Sequence, residues 1–427
     1  MSTVRDARRL LRPLHAELVA LLRALVRTDS VAVPPDGNET AAQRVLEAWL
    51  KRRRVPVETY DTAFLERSKH PLARRDRRYR GRRNLVSRTP GTGGGRSLLL
   101  SGHVDTVPVG RTPWKHGGPF SAALRGGRLY GRGSWDMKSG LVAQFAVAAA
   151  LKRAQVRLRG ELVCESIVDE EFGGGGGTLA GRLRGDLADA CAIAEGTNYE
   201  VIRATRGGAV FDVICEAGDP MGYFSREEVV SPAVPAGRVL GWVDGWAARR
   251  KRAPRSSGPY ADFPDPAPVQ VLAVEANTFD RAVPWSVPLL ARVRVYFQFL
   301  PGEDVLAVLR EVEASLYALA AEDAFFRLHP PRFERVLDPP LQGHEQPADH
   351  PWTACLVGAA RSVVGEQARL TASQWPCDAF IHQRFGMPTL LFGPKGAGSH
   401  NANEYVELPS VLRTAEVYLA AALDWCA

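Results

Sequence analysis

The chain has 427 residues, 45% of them hydrophobic, and its 55 Lys and Arg exceed its 47 Asp and Glu to leave a net charge of +8. That length and apolar content can bury a large core and favour two domains over one. No apolar run is long enough to span a bilayer, and the start, Met1-Ser-Thr-Val-Arg-Asp, lacks the uninterrupted apolar segment of a secretory signal.

Leu18, Leu21, Leu22 and Leu25 recur at helical spacing and predict an amphipathic helix over 18–26. Basic runs follow at 74–83 and 249–255. Neither has an aromatic array, apart from Tyr79, or a known binding module, so solvated or acid-paired arginines are expected and nucleic acid is not. The surplus positive charge is expected to draw small anionic substrates into a cleft.

Leu98-Leu-Leu100 reads as a buried strand leading into Ser101-Gly-His-Val-Asp-Thr-Val-Pro108, so His103 and Asp105 fall just beyond it. The glycine-rich loop Gly131-Arg-Gly-Ser-Trp-Asp-Met-Lys-Ser-Gly140 supplies Asp136 and opens a helix-like run over 141–152. A strand at 161–168 ends in Asp169-Glu170-Glu171, followed by five glycines, and a short strand at 190–194 ends at Glu195. Next come a strand at 208–215, a helix at 238–252, strands at 269–276 and 289–300, a helix at 303–322 and a strand at 333–337, the order of a ferredoxin-like unit. A last strand at 388–392 leads through Gly393-Pro394 to Ser399-His400-Asn401.

In an α/β sheet, side chains just beyond the carboxyl ends of several parallel strands converge although distant in sequence. The chain thus offers two imidazoles and several carboxylates to one cleft, with no thiol among them. That donor set suits divalent zinc, manganese or cobalt, one or two ions per subunit, and a carboxylate shared between two ions would explain the number of acids. One acid must stay free to move a proton, and neighbouring Glu170 and Glu171 can divide the two tasks. The six cysteines show no paired spacing and read as reduced thiols of a cytoplasmic protein, with Cys377, beside Asp378, the one close to the later motifs.

These motifs, in this order, resemble the M20 family of metallopeptidases and deacylases, which includes acetylornithine deacetylase, succinyl-diaminopimelate desuccinylase and carboxypeptidase G. The resemblance implies an α/β, metallo-exopeptidase-like catalytic domain with a mixed central sheet, built from 1–205 and 342–427. It also implies an inserted α+β lid or dimerisation domain over 206–341 that pairs subunits into a homodimer or higher homo-oligomer. It further implies that His103, Asp136 and Glu195 hold one metal and Asp136, Glu171 and His400 the other. Asp136 would bridge, Asp105 would orient His103, Glu170 would be the general base toward water, and the Asp136-Met137 peptide would be cis.

Two features depart from the family pattern. No histidine occurs between His116 and His329, where relatives carry one early in the lid, and Gln298 stands where they usually have arginine. The first touches oxyanion stabilisation, whose loss typically costs about 2.7 to 4 kcal/mol. The leading expectation, the commonest reaction of the family the chain resembles, is hydrolysis of a C-N bond in a small substrate such as an N-acyl amino acid. The alternatives are ammonia release from an activated aromatic amine of nitroanthranilate type, which needs no polarised carbonyl, and an inactive scaffold. Arg206, Arg226, Gln374, Trp375 and Arg384 are pocket candidates by position.

Overall fold

The computed structural model describes residues 2–216, 231–252, 258–276 and 289–427. Four strands form the middle of the larger unit: Leu98–His103, Leu162–Ile167, Cys191–Ile193 and Thr389–Leu391, each buried along its whole length. Largely apolar runs without alternation are what a parallel strand covered on both faces requires. All three pairings among them are parallel, with Leu99 opposite both Val163 and Cys191, and Leu390 opposite Ala192. Antiparallel Arg83–Thr89 and Glu58–Asp61 extend one side; Val201–Thr205 with Leu370–Ala372 and His344–Glu345 extends the other, giving a mixed nine-stranded sheet.

The helix Lys138–Ala154 is buried from Lys138 through Leu151 on every face, the pattern of a helix inside a large core. It packs against His15–Arg27 and Leu408–Trp425, and Leu408–Trp425 packs in turn against Pro351–Val364. Buried Trp352 donates its indole N–H to the Cys191 carbonyl, 2.9 Å away, so its polar tip is satisfied inside the core.

A separate four-stranded sheet joins Ala123–Arg125 and Arg128–Tyr130 to Tyr405–Glu407 and Gly396–Ala397, with Tyr130 opposite Tyr405. It brings the loop carrying His400 and Glu404 to the loop carrying Asp136. The motif reading did not anticipate this sheet, because its strands are two or three residues long.

The second unit comprises Thr205–His344 with Gln374–Pro376, and the first comprises the rest of the chain. Its strands run Gly207–Glu216, Val269–Ala276, Leu290–Phe299 and Arg332–Arg335, and its long helices Ala233–Arg252 and Val305–Glu322. The sheet order places Val269–Ala276 at one edge, then Leu290–Phe299, Gly207–Glu216 and Arg332–Arg335, all antiparallel, which is ferredoxin-like. Alternate residues Ala291, Val293, Val295, Phe297 and Phe299 face inward and join one core cluster with Val239, Val243, Leu309, Val312 and Leu316. Among the described residues no helix is long and apolar enough to cross a membrane.

The basic run 74–83 shows both expected arrangements: Arg75, Arg78, Arg80 and Arg83 are solvated, whereas Arg74, Arg77 and Arg82 are buried and paired with acids. Acidic side chains far away in sequence neutralise Arg77 and Arg82, which the local pattern could not disclose. Within 249–255 only Arg249, Arg250, Lys251 and Arg252 lie in the described residues, at the carboxyl end of a helix, where positive charge meets the helix dipole favourably.

Candidate metal centre

The parallel strands end along one edge, and their end points deliver the acidic and imidazole side chains. His103 is the last residue of its strand and sits opposite Ile167; Glu170 and Glu171 lie just past Ile167, and Glu195 just past Ile193. His103 is buried, and its Nδ1 lies 3.0 Å from the Asp105 main-chain carbonyl. Nδ1 donates its proton to that carbonyl, which leaves Nε2 as the atom that would turn toward a metal. Nε2 lies 3.2 Å from Asp136 Oδ1, 3.3 Å from Glu195 Oε1 and 3.8 Å from Glu170 Oε2.

The other oxygen of Asp136, Oδ2, lies 3.1 Å from His400 Nε2, which is also 2.9 Å from Glu171 Oε2. Two triads result, His103 with Asp136 and Glu195, and Asp136 with Glu171 and His400; within each, the candidate ligand atoms all lie within 4.8 Å of one another. Asp136 belongs to both. The Asp136-Met137 peptide is cis.

Electrostatics give the fit to a dication. Burial, reinforced by neighbouring Asp136, pushes Glu171 up to about 7, and the same two causes raise Glu195. Burial also raises Glu170 well above the carboxylate range, helped by Asp378. Burial alone would raise Asp136 too, but its bonds to His103 and His400 hold it below its ordinary value. His400 is pushed up to about 11 by its bonds to Asp136 and Glu171. Asp136, Glu170, Glu171 and Glu195 thus crowd one space against two imidazoles, a surplus of negative charge that divalent cations would balance. Oxygen and imidazole donors without a thiol fit zinc, manganese or cobalt.

Beneath these groups the main chain is held by side chains. Asp105 Oδ1 accepts the N–H of Glu170 at 3.2 Å and Oδ2 that of Glu171 at 3.1 Å, while its carboxylate stands 3.6 Å from His103 Nδ1. His103 is therefore oriented chiefly by the Asp105 carbonyl. Glu404 is fully buried: Oε1 accepts the N–H groups of Trp135 (2.9 Å) and Asp136 (3.1 Å), and Oε2 accepts Gly133 N–H (2.9 Å) and Arg132 Nη1 (2.8 Å). The Glu170 carboxylate accepts the N–H of Asp378 at 3.3 Å, and Asp378 accepts from Thr178. Cys377 is buried beside it, its thiol pushed up by burial and by Asp378.

Glu404 and Thr178 join the site through contacts that no local motif announces. Of the five glycines that follow the acidic turn, Gly177 begins a helix and lies so close to the Val168 carbonyl that a Cβ would overlap it. In the second unit, at the position where an arginine was anticipated, Gln298 Oε1 accepts from Arg206 Nη1 at 2.6 Å; the same guanidinium reaches the main-chain carbonyls of Gln374 (3.3 Å) and Asp265 (2.8 Å). Trp375 and Arg384 are exposed. Arg226 and the turn where a lid histidine would fall, 217–226, lie outside the described residues.

Residues 99–424 match the model of peptidase family M20/M25/M40. N-formyl-4-amino-5-aminomethyl-2-methylpyrimidine deformylase of Halalkalibacterium halodurans is 26% identical over 439 residues, covering 96% of this chain and 94% of that protein. Succinyl-diaminopimelate desuccinylase of Gluconobacter oxydans is 31% identical over 340 residues, covering 76% and 80%. Among solved structures, the dipeptidase Dug1p of Saccharomyces cerevisiae superposes with a TM-score of 0.77 at 16% identity, over 100% of this chain and 99% of that one, a likeness of fold. The aromatic-amine alternative finds no support here, since a deformylase and a desuccinylase act on amide C-N bonds. The chain belongs to peptidase family M20/M25/M40 and is a metal-dependent hydrolase of C-N bonds.

Proposed function

We propose that the protein removes a small acyl group from the nitrogen of an anionic small molecule, an N-acyl amino acid or close analogue. His103, Asp136 and Glu195 would hold one divalent cation and Asp136, Glu171 and His400 a second, with Asp136 common to both. Bound there, zinc, manganese or cobalt would supply Lewis acidity, polarising the acyl carbonyl and bringing the pKa of water toward about 7. Glu170 takes a proton from the attacking water and delivers it to the departing nitrogen. The observation that carries this reading is the placement of Glu170: its Oε2 lies 3.8 Å from His103 Nε2, yet it belongs to neither triad of candidate ligands. Asp378 N–H and Asp105 hold that carboxylate and its main chain in register with the triads.

The net charge of +8 supports an anionic substrate. Free cysteines throughout support a cytoplasmic setting. The edge strand Val269–Ala276 supports a homodimer: Leu272 and Val274, each 52% exposed, lie along an edge that a second copy could extend. The test is an assay of N-formyl, N-acetyl and N-succinyl amines and amino acids, with zinc, manganese or cobalt, on wild type and Glu170→Gln. Metal-dependent acid release that the variant loses while keeping its metal is expected; full turnover by Glu170→Gln would overturn the assignment.

A further inference from the structure

We propose that the basic segment 74–82 is a cradle for the acidic turn, in which Arg77, Tyr79 and Arg82 are positioning residues that clamp Asp169 and thereby set where Glu170 and Glu171 stand. Burial alternates along the segment. Arg74, Arg77, Tyr79 and Arg82 point inward, whereas Arg75, Arg78, Arg80 and Arg83 are exposed.

The inward set converges on one carboxylate. Asp169 Oδ1 accepts from Arg77 Nε and Arg82 Nη2, each at 2.9 Å, and Oδ2 accepts from the Tyr79 hydroxyl at 3.1 Å. Arg82 also reaches both oxygens of buried Glu39 through Nε, at 3.1 Å each. Two guanidinium groups thus face two carboxylates away from water, a balanced set that loses its balance when one member is removed. At the far end of the turn, Arg74 Nη1 donates to the Phe172 carbonyl at 2.8 Å, and the Arg77 guanidinium lies 4.5 Å from the centre of the Phe172 ring.

Glu170 and Glu171 therefore lie between two points fixed from outside the turn. Asp169 gains from such fixing: its φ of +66° is left-handed, a region in which a residue with a side chain stays where its surroundings enforce it. The carboxylate with three donors supplies the enforcement. This inference rests on the roles given above to Glu170 and Glu171.

The test compares Arg77→Met, Arg77→Lys, Tyr79→Phe and the exposed control Arg78→Ala with wild type and Glu170→Gln, on the N-formyl or N-succinyl amine that wild type hydrolyses. Cobalt(II) absorption of each protein reports the ligand geometry without turnover. Arg77→Met is expected to lower kcat at least tenfold with KM within about twofold, and to change the cobalt spectrum. Arg77→Lys should recover part of both, Tyr79→Phe should show a smaller loss, and Arg78→Ala should match wild type. If Glu170→Gln is silent but Arg77→Met and Tyr79→Phe keep wild-type kcat and spectrum, the cradle is overturned and the reading of Glu170 stands. If Glu170→Gln turns over normally, it is the reading of Glu170 that falls. Should Arg77→Met not fold, Tyr79→Phe decides alone, since it removes a single hydroxyl.

Discussion

Asp105 holds Glu170 by its main chain, its Oδ1 accepting the Glu170 N–H at 3.2 Å while its own carbonyl lies 3.0 Å from His103 Nδ1. One residue therefore fixes both the imidazole and the start of the acidic pair. Asp105→Asn keeps one acceptor but turns an amide donor toward a main-chain N–H. We expect kcat to fall by about 10- to 100-fold and stability by about 1 to 3 kcal/mol. Steady-state kinetics and chemical denaturation on the same preparation measure the two losses; unchanged kcat would contradict the role.

Glu404 serves the other side of the site. Its carboxylate accepts three main-chain N–H groups and one guanidinium around Asp136. In Glu404→Gln one oxygen becomes an NH2 facing donors, so the Asp136 loop loses at least one anchor. Competition with a chelator should show metal affinity weakened by about 10- to 100-fold, and affinity equal to wild type would count against the anchor.

Gly393 and Gly358 should respond oppositely to alanine. A Cβ on Gly393 would overlap the Glu195 carbonyl oxygen, a main-chain atom, whereas a Cβ on Gly358 in the helix Pro351–Val364 meets nothing within 4 Å. Thermal melts should show Gly393→Ala destabilised and depleted of metal, and Gly358→Ala neutral or stabilised by up to about 1 kcal/mol. Equal melting temperatures for the two variants would contradict the packing.

His344 predicts an acid limb of stability. It is fully buried, neither ring nitrogen has a partner among the described residues, and burial pushes its pKa down to about 3. The unfolded imidazole titrates near 6.5, so the folded state is favoured above that pH and loses stability as pH falls through 6.5 toward 3. The loss attributable to His344 is about 2 kcal/mol at pH 5. Urea unfolding at pH 7 and pH 5 should show that increment in wild type and its absence in His344→Leu.

How far the chain could be read locally differs from residue to residue. His103, Glu170, Glu171 and Glu195 were legible because each follows an apolar run, and apolar runs of that length become parallel strands whose ends share an edge. The ferredoxin-like order was legible for the same reason, through strand and helix periods that are local properties. Glu404 was not, because its partners Trp135 and Asp136 lie 269 and 268 residues away and are main-chain atoms that leave no mark on composition. Nor was the inward half of the basic run: Arg77 and Arg82 look like surface charge until Asp169, 92 and 87 residues on, is brought against them.

By itself the amino-acid order determined the longer apolar strands, the ferredoxin-like order, the donor types and the family pattern, since these depend on side-chain chemistry and short-range periodicity. Only the folded chain decided which oxygen meets which nitrogen: that Asp136 stands between two imidazoles, that the Asp105 carbonyl rather than its carboxylate lies closest to His103 Nδ1, and that a run of arginines is half interior. Such choices depend on distances of about 3 Å between groups far apart along the chain, and those distances exist only once the layers have packed.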